Sequence, residues 1–281
     1  MTIRALQLSH VSITVADLPK AIAFYTAALG FHPAPIIACD PALAKLHGAD
    51  RMWAVQLLRG AQILELAAFD PPGAPYPSDS RSNDLWFQHC ALATSDIAGA
   101  YAELLDSDFT PISMDGPVVL PASSGGVTAF KFRDPDGHPL ELIQFPDRPS
   151  APDGIDHSAI SVQDADRSIA FYEALGLRVA SQGQNTGGKQ DALDGLSNVI
   201  VDVVALAPPQ PAPHIELLAY HAPIGRPAPP TRPADRISSR FVLLATGLDD
   251  HPGAVMMADG GLAAMIHDPD GHALLLRQDV P

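Results

Sequence analysis

Cysteine is nearly missing from this chain of 281 residues, in which Cys39 and Cys90 are the only two. Two thiols offer no disulfide framework, and their spacing gives no Cys-x-x-Cys metal or redox pair. Basic residues are scarce as well: 17 Lys and Arg stand against 32 Asp and Glu, for a formal charge of -15, and no basic cluster interrupts the excess. A phosphate backbone would be repelled, so nucleic acid is excluded as an expected partner. No run approaches the roughly 20 apolar residues of a membrane span. The first residues, MTIRALQLSHVSITVADL, alternate rather than form the apolar stretch of a secretory signal, so the expected compartment is the cytoplasm. Charged residues make up only 17% of the chain and hydrophobic ones 47%, a composition that builds a core. The length predicts two domains.

What the chain does have is self-similarity. HVSITVADLPKAIAFYTAALGF from His10 matches HSAISVQDADRSIAFYEALGLR from His157, with Tyr25 and Tyr172 each 15 residues after the histidine. RDPDGHPLEL at 133–142 returns as HDPDGHALLL at 267–276, seven of ten letters kept, with Glu141 replaced by Leu275. The halves are duplicates, expected as domains over 1–147 and 154–281. They are joined by PDRPSAPDG (146–154), whose prolines and glycine suit a linker.

Inside each half a weaker pattern recurs: an alternating strand, a capped helix, then several short strands. Asp17 is placed to cap a helix whose Ile22, Tyr25 and Leu29 share one face and which Gly30 ends. The second unit opens at FQHCALATSDI, where Ser95 or Asp96 caps a helix carrying Ile97, Tyr101 and Leu104. The fourth opens at SRFVLLATGLDD, and Pro252 with Gly253 predicts a short or distorted helix there. The fold class is α+β, with four βαβββ modules. A small sheet with a helix on one face needs a partner for the other, so the modules are expected to pair into two open mixed-sheet barrels.

The strand-His openings at His10, His89 and His157, the repeated IAFY helices and the closing DPDGHPLEL resemble the vicinal oxygen chelate superfamily. Glyoxalase I, extradiol ring-cleaving dioxygenases, fosfomycin resistance enzymes and bleomycin-binding proteins belong to it. The resemblance covers nearly the whole chain and implies the fold without choosing one activity.

Polar residues interrupt apolar strands at His10, Glu65, His89 and Glu141. A buried carboxylate is costly unless it is paired or meets a cation, and two with two imidazoles invite a metal. The donor set suits one divalent ion, with Zn, Fe, Mn, Ni and Co indistinguishable. In the second half His157 matches His10 and Glu216 matches Glu65. Phe241 aligns with His89 through the shared LAT, and Leu275 stands opposite Glu141. If neighbouring modules pair, the complete set is His10, Glu65, His89 and Glu141. If modules pair across the halves it is His157, Glu216, His89 and Glu141. The first arrangement is favoured because short connections join adjacent elements. Asp134, Asp136, Asp268 and Asp270, with His138 and His272, read as turn formers. His32, His47, His214 and His221 lack a constellation.

The resemblance implies a metal-dependent lyase or isomerase that stabilises an enediolate, with Glu141 as base and Glu65 as its counterpart. Two of the residues by which bacterial glyoxalase I holds glutathione are replaced by Thr14 and Phe69, and a lysine before the Gly-Gly pair by Ser124, so glutathione dependence is not expected. The expected partner is a small-molecule substrate, with the chain a monomer or homodimer. An extradiol dioxygenase remains an alternative, although Lys131 stands where those enzymes carry tyrosine. A bleomycin-resistance-like binding protein without catalysis is a second alternative, and a purely structural role a third.

Overall fold

The computed structural model describes residues 3–147, 153–210 and 213–280. The central residues of the expected linker, 148–152, lie outside the described residues. Module 1 contains β1 (Arg4–Thr14), α1 (Leu18–Leu29), the short strands β2 (His32–Pro33) and β3 (Ile37–Ala38), α2 (Pro41–Leu46), β4 (Arg51–Arg59) and β5 (Gln62–Asp70). Module 2 contains β6 (Gln88–Ala93), α3 (Ile97–Leu105), β7 (Thr110–Pro111), β8 (Val118–Val119), β9 (Thr128–Arg133) and β10 (Pro139–Gln144). Module 3 contains β11 (Gly154–Val162), α4 (Ala165–Ala174), β12 (Arg178–Thr186), α5 (Gly188–Asp194), β13 (Ile200–Ala207) and β14 (His214–Ala222). Module 4 contains β15 (Arg240–Thr246), β16 (Val255–Met256), β17 (Leu262–His267) and β18 (Ala273–Gln278), with turns where the distorted helix was expected.

Capping follows side-chain chemistry. Asp17 accepts from Lys20 N, and Gly30 closes α1 at φ 67°, a left-handed conformation that costs glycine little. Asp96, rather than Ser95, caps α3 by accepting from Gly99 N. Asp164 does the same for α4 at Arg167 N.

The chain forms two large mixed sheets, neither closed into a barrel. The first runs β16-β17-β18-β15-β1-β5-β4-β2, and the second β12-β13-β14-β11-β6-β10-β9-β7. Module 1 therefore pairs with module 4 through antiparallel β1 and β15, and module 2 with module 3 through antiparallel β6 and β11. The pairing of neighbours within each half, favoured from the sequence, is not found. The connection lengths give the reason. Residues 145–153 separate modules 2 and 3, whereas the longer segments 71–87 and 223–239 separate modules 1 and 2, and 3 and 4. Short connections do join adjacent elements, but the shortest one lies between the halves.

The repeated Asp-Pro-Asp-Gly-His turn ties the sheets together. Asp134 accepts from the backbone N–H groups of Asp136 and His138 at 3.0 and 2.8 Å, closing the turn, and from Tyr25 Oη of α1 at 2.8 Å. His138 Nε2 reaches the Thr14 carbonyl of β1 at 2.7 Å. The other copy repeats every contact: Asp268 accepts from Asp270 N, His272 N and Tyr172 Oη, and His272 bonds the Ser161 carbonyl. Each turn belongs to one sheet and grips a helix and strand of the other.

Between the sheets, α1, α3 and α4 share an apolar core that contains Val11, Ile13, Phe24, Cys90, Leu92, Phe132, Leu142 and Ile160. Strand alternation then turns His89 and Ala91 away from that core, because successive side chains point to opposite faces. Among the described residues no helix is long and apolar enough to cross a membrane.

Candidate metal centre

The outward face of the second sheet forms a cleft of roughly 690 Å³. His89 reaches it from β6, Glu141 from β10, His157 from β11 and Glu216 from β14. The donor atoms of His89, Glu141 and His157 all lie within 4.8 Å of one another. His89 Nε2 is 2.9 Å from Glu141 Oε2. His157 Nε2 is 3.7 Å from the same oxygen and 3.4 Å from Glu216 Oε2. Four strands of two modules thus bring two imidazoles and two carboxylates to one cleft, with Glu216 reaching the group through His157.

Two further residues join them: Asp156, which the sequence did not single out, and His214, which by sequence lacks a constellation and in fact has one. Asp156 Oδ2 lies 3.0 Å from His157 Nδ1, which orients the ring so that Nε2 faces the cleft. His214 Nε2 lies 3.3 Å from Glu216 Oε1. The signal for His214 was present: it is two residues from Glu216 on a strand, hence on the same face. Asp156 is harder to foresee, because a register irregularity between Ile155 and His157 lets neighbouring residues converge.

Burial raises Glu141, but the adjacent imidazoles of His157 and His89 and the charge of Lys131 outweigh it and hold its pKa well below the ordinary value. Burial also raises Glu216, and His157 with His214 outweighs that effect. Burial lowers His89, and Lys131 adds to this against the pull of Glu141. For His157 burial acts downward, yet Glu216, Asp156 and Glu141 together push its pKa well above the usual imidazole value. Two carboxylates held ionised beside two imidazoles form a negative, preorganised pocket.

His89 Nε2 faces Glu141 Oε2 at 2.9 Å without the geometry of a hydrogen bond to it, so its lone pair is open to a bound cation. The residues therefore fit a divalent ion in nitrogen and oxygen count and in the orphaned imidazole.

His10 and Glu65 lie elsewhere. They face each other at 3.6 Å in the first sheet, so Glu65 is not beside Glu141 and cannot share its chemistry. The strand register also corrects the alignment of module 4. Ala159 pairs with His89 as Ser12 pairs with Arg240, which puts Arg240 and not Phe241 in the place of His89. One residue of slip reverses the faces of a strand. Phe241 is fully buried in the core, while Arg240 turns to the opposite face and hydrogen-bonds Thr14 Oγ1 and the Ser238 carbonyl. Its charge, with His10 and Ser12, holds Glu65 below its ordinary value against burial. The rest of this concavity is filled by α2 and by Leu43, Met52, Phe69, Val242, Met257 and Leu275. Where the second sheet has an open cleft, the first has a guanidinium and an apolar plug.

The family model described as the Glyoxalase/Bleomycin resistance protein/Dioxygenase superfamily matches residues 7–142 and 154–276. A lactoylglutathione lyase of rice, Oryza sativa subsp. japonica, is 38% identical over 96 residues, covering 33% of this chain and 30% of that one. A lactoylglutathione lyase of Schizosaccharomyces pombe is 28% identical over 205 residues, covering 65% of this chain and 63% of its own length. The chain thus spans less than two thirds of either relative. The crystal structure of glyoxalase I from Zea mays matches at a TM-score of 0.64 and 19% identity, covering 99% of this chain and 92% of that one, which establishes the shared fold.

Proposed function

Because the chain belongs to the Glyoxalase/Bleomycin resistance protein/Dioxygenase superfamily, we propose that it is a divalent-metal enzyme of the glyoxalase type, a lyase or isomerase with one active site per chain. The observation that carries this reading is the convergence of His89, Glu141, His157 and Glu216 at the floor of one open cleft. These four residues would hold the ion. When bound, it supplies Lewis acidity to two adjacent substrate oxygens and so favours the enediolate form of the substrate. Glu141, kept ionised in a buried site, would take the substrate proton, and Glu216 on the opposite module would be its counterpart. Asp156 and His214 fix His157 and Glu216. Apolar Leu120, Val127, Ile143 and Val203 line the walls and limit water near the reacting atoms.

The substrate would not be a glutathione adduct. Four residues after His157 stands Ser161, buried and bonded to the Ser82 carbonyl, and four after Glu216 stands Tyr220, buried and bonded to Asp194. Neither is the arginine or asparagine that would clamp a glutathione carboxylate, and no arginine lines the cleft among the described residues. The lactoylglutathione lyase relatives favour the opposite reading, so both are put to one test. Purified protein and a His89→Ala variant would be assayed for metal content, and for turnover of the methylglyoxal–glutathione hemithioacetal. About one metal per chain in the wild type, lost in the variant, with no hemithioacetal turnover is expected. Rapid hemithioacetal turnover would establish the glutathione-dependent activity instead. Oxygen uptake with catechols would point to a dioxygenase, and a wild type that refuses added metal would leave only a binding protein.

A further inference from the structure

Beside the proposed ligands the cleft holds a second polar group. Lys131 on β9 stands in register opposite Glu141, is buried, and donates from Nζ to Asp194 Oδ1 at 2.7 Å. Asp194, at the end of α5, also accepts from Gln190 Nε2 at 2.8 Å and Tyr220 Oη at 3.0 Å. This carboxylate is therefore saturated by three donors that it holds in place. Its partners retain unused capacity. An ammonium carries three N–H groups, and among the described residues Asp194 is the only hydrogen-bond acceptor of Lys131 Nζ. Gln190 is 5% exposed and its Oε1 has no hydrogen-bond partner. Both Lys131 and Gln190 line the cleft.

The duplicated sheet forms without a counterpart of this group. Met265 pairs with Leu275 as Lys131 pairs with Glu141. His47, which precedes left-handed Gly48, takes the place of Asp194 before left-handed Gly195, and Phe69 takes that of Tyr220. The polar network and the complete ligand set are present together in one sheet and missing together from the other. A buried ion pair is seldom retained for stability alone, since an apolar replacement of similar volume is commonly as stable. The first sheet is such a replacement.

We infer that Lys131 and Gln190, aligned by Asp194, form a specificity subsite for a substrate carboxylate and an adjoining hydroxyl, so that the preferred substrates are small 2-hydroxy or 2-oxo carboxylates. Lys131 pairs with the anionic oxygen and Gln190 Oε1 accepts from the hydroxyl. Lys131 and Gln190 bind the substrate and Asp194 is the positioning residue that holds them, and this inference rests on the reading of the cleft as a metal site.

The test compares mandelate with its neutral analogue 1-phenylethane-1,2-diol as probes, by calorimetry and by the visible spectrum of cobalt-loaded protein. The wild type is expected to prefer mandelate by on the order of ten- to a hundredfold, the range of a charged hydrogen bond. Lys131→Met should hold the same cobalt but lose the preference, and Lys131→Arg should recover part of it. Should Asp194, left without its cation, prevent folding, Lys131→Met with Asp194→Asn removes the charge pair together and carries the same expectation. A Lys131→Met protein that keeps its preference for mandelate overturns the subsite. A wild type that binds no cobalt overturns the metal reading separately. Calorimetry on that metal-free protein then still decides the subsite, which stands if the preference depends on Lys131 and falls if there is none.

Discussion

His157 Nε2 lies 3.7 Å from Glu141 Oε2, although the two residues come from different halves of the duplicated chain. The contact exists because β6 of module 2 and β11 of module 3 pair at the centre of one sheet. Within that sheet the residue that matches His10 by sequence takes over its expected partner. His157→Ala should therefore lower metal affinity by about a hundredfold or more, the upper range known for disturbing even an outer support of a ligand. His10→Ala should leave metal content unchanged, and titration of both proteins with cobalt separates the two. Loss of metal from His10→Ala with retention in His157→Ala would reverse the assignment.

Glu141 is proposed both to hold the ion and to take a proton, and these roles can be separated. Glu141→Gln keeps an oxygen donor but removes the base. General base catalysis contributes roughly a hundred- to ten-thousandfold, so turnover of a substrate found for the enzyme should fall about a thousandfold. Metal content should decline far less. Equal loss of metal and turnover would reduce Glu141 to a ligand only.

The link between Tyr25 and Asp134 predicts a stability effect remote from the cleft. The phenol is buried on α1 and donates at 2.8 Å to a carboxylate of the other sheet. Tyr25→Phe leaves that carboxylate oxygen without its donor, at a cost of about 1–3 kcal/mol, measurable in urea unfolding. Tyr172→Phe should cost less, because its bond to Asp268 is 3.3 Å long. Metal binding should survive in both. Unfolding midpoints unchanged by Tyr25→Phe would mean that the turn does not latch the sheets.

Much of this was legible in the sequence because it is local or repeated. The module order, the cap at Asp17, a cap at Ser95 or Asp96, and the turn at 133–138 follow from periodicity and side-chain chemistry. His89 and Glu141 stand out as polar interruptions of apolar strands, and His157 and Glu216 through their match to His10 and Glu65, in the arrangement that the sequence did not favour. Module pairing is a long-range property, and it turned on the relative lengths of three connections. Arg240 was hidden by a chance identity: aligning the two LAT triplets shifts the register by one residue and exchanges the buried Phe241 for the arginine that faces the first concavity. Gln190 and Asp194 are one helical turn apart on α5, but Lys131 comes from module 2 and no spacing along the chain announces its contact with Asp194. The turn copied in both halves serves the joining of the sheets, whereas Glu141 serves the cleft. The copy that carries Leu275 keeps the first task and contributes an apolar side chain to the plug.

The plugged concavity makes a prediction about acid stability. His47 is fully buried against Phe69, its Nδ1 contacts the Leu43 carbonyl at 2.8 Å, and its Nε2 has no partner. Burial, followed by the charge of Arg240, lowers its pKa from 6.5 to about 3. The imidazole is neutral in the folded chain, so between pH 6.5 and 3 the unfolded chain binds a proton that the folded one does not. Stability is therefore fully present above the unfolded pKa and is lost as pH falls toward the folded one. At about 1.4 kcal/mol per unit, lowering the pH from 7 to 4.5 should remove about 2–3 kcal/mol through this residue. His47→Gln keeps a neutral donor and abolishes the titration, so its stability should fall less over that interval by this amount. Urea unfolding at both pH values, with chelator present to keep metal occupancy constant, measures the difference. Parallel losses in wild type and variant would show that His47 already titrates normally and that the plug admits water.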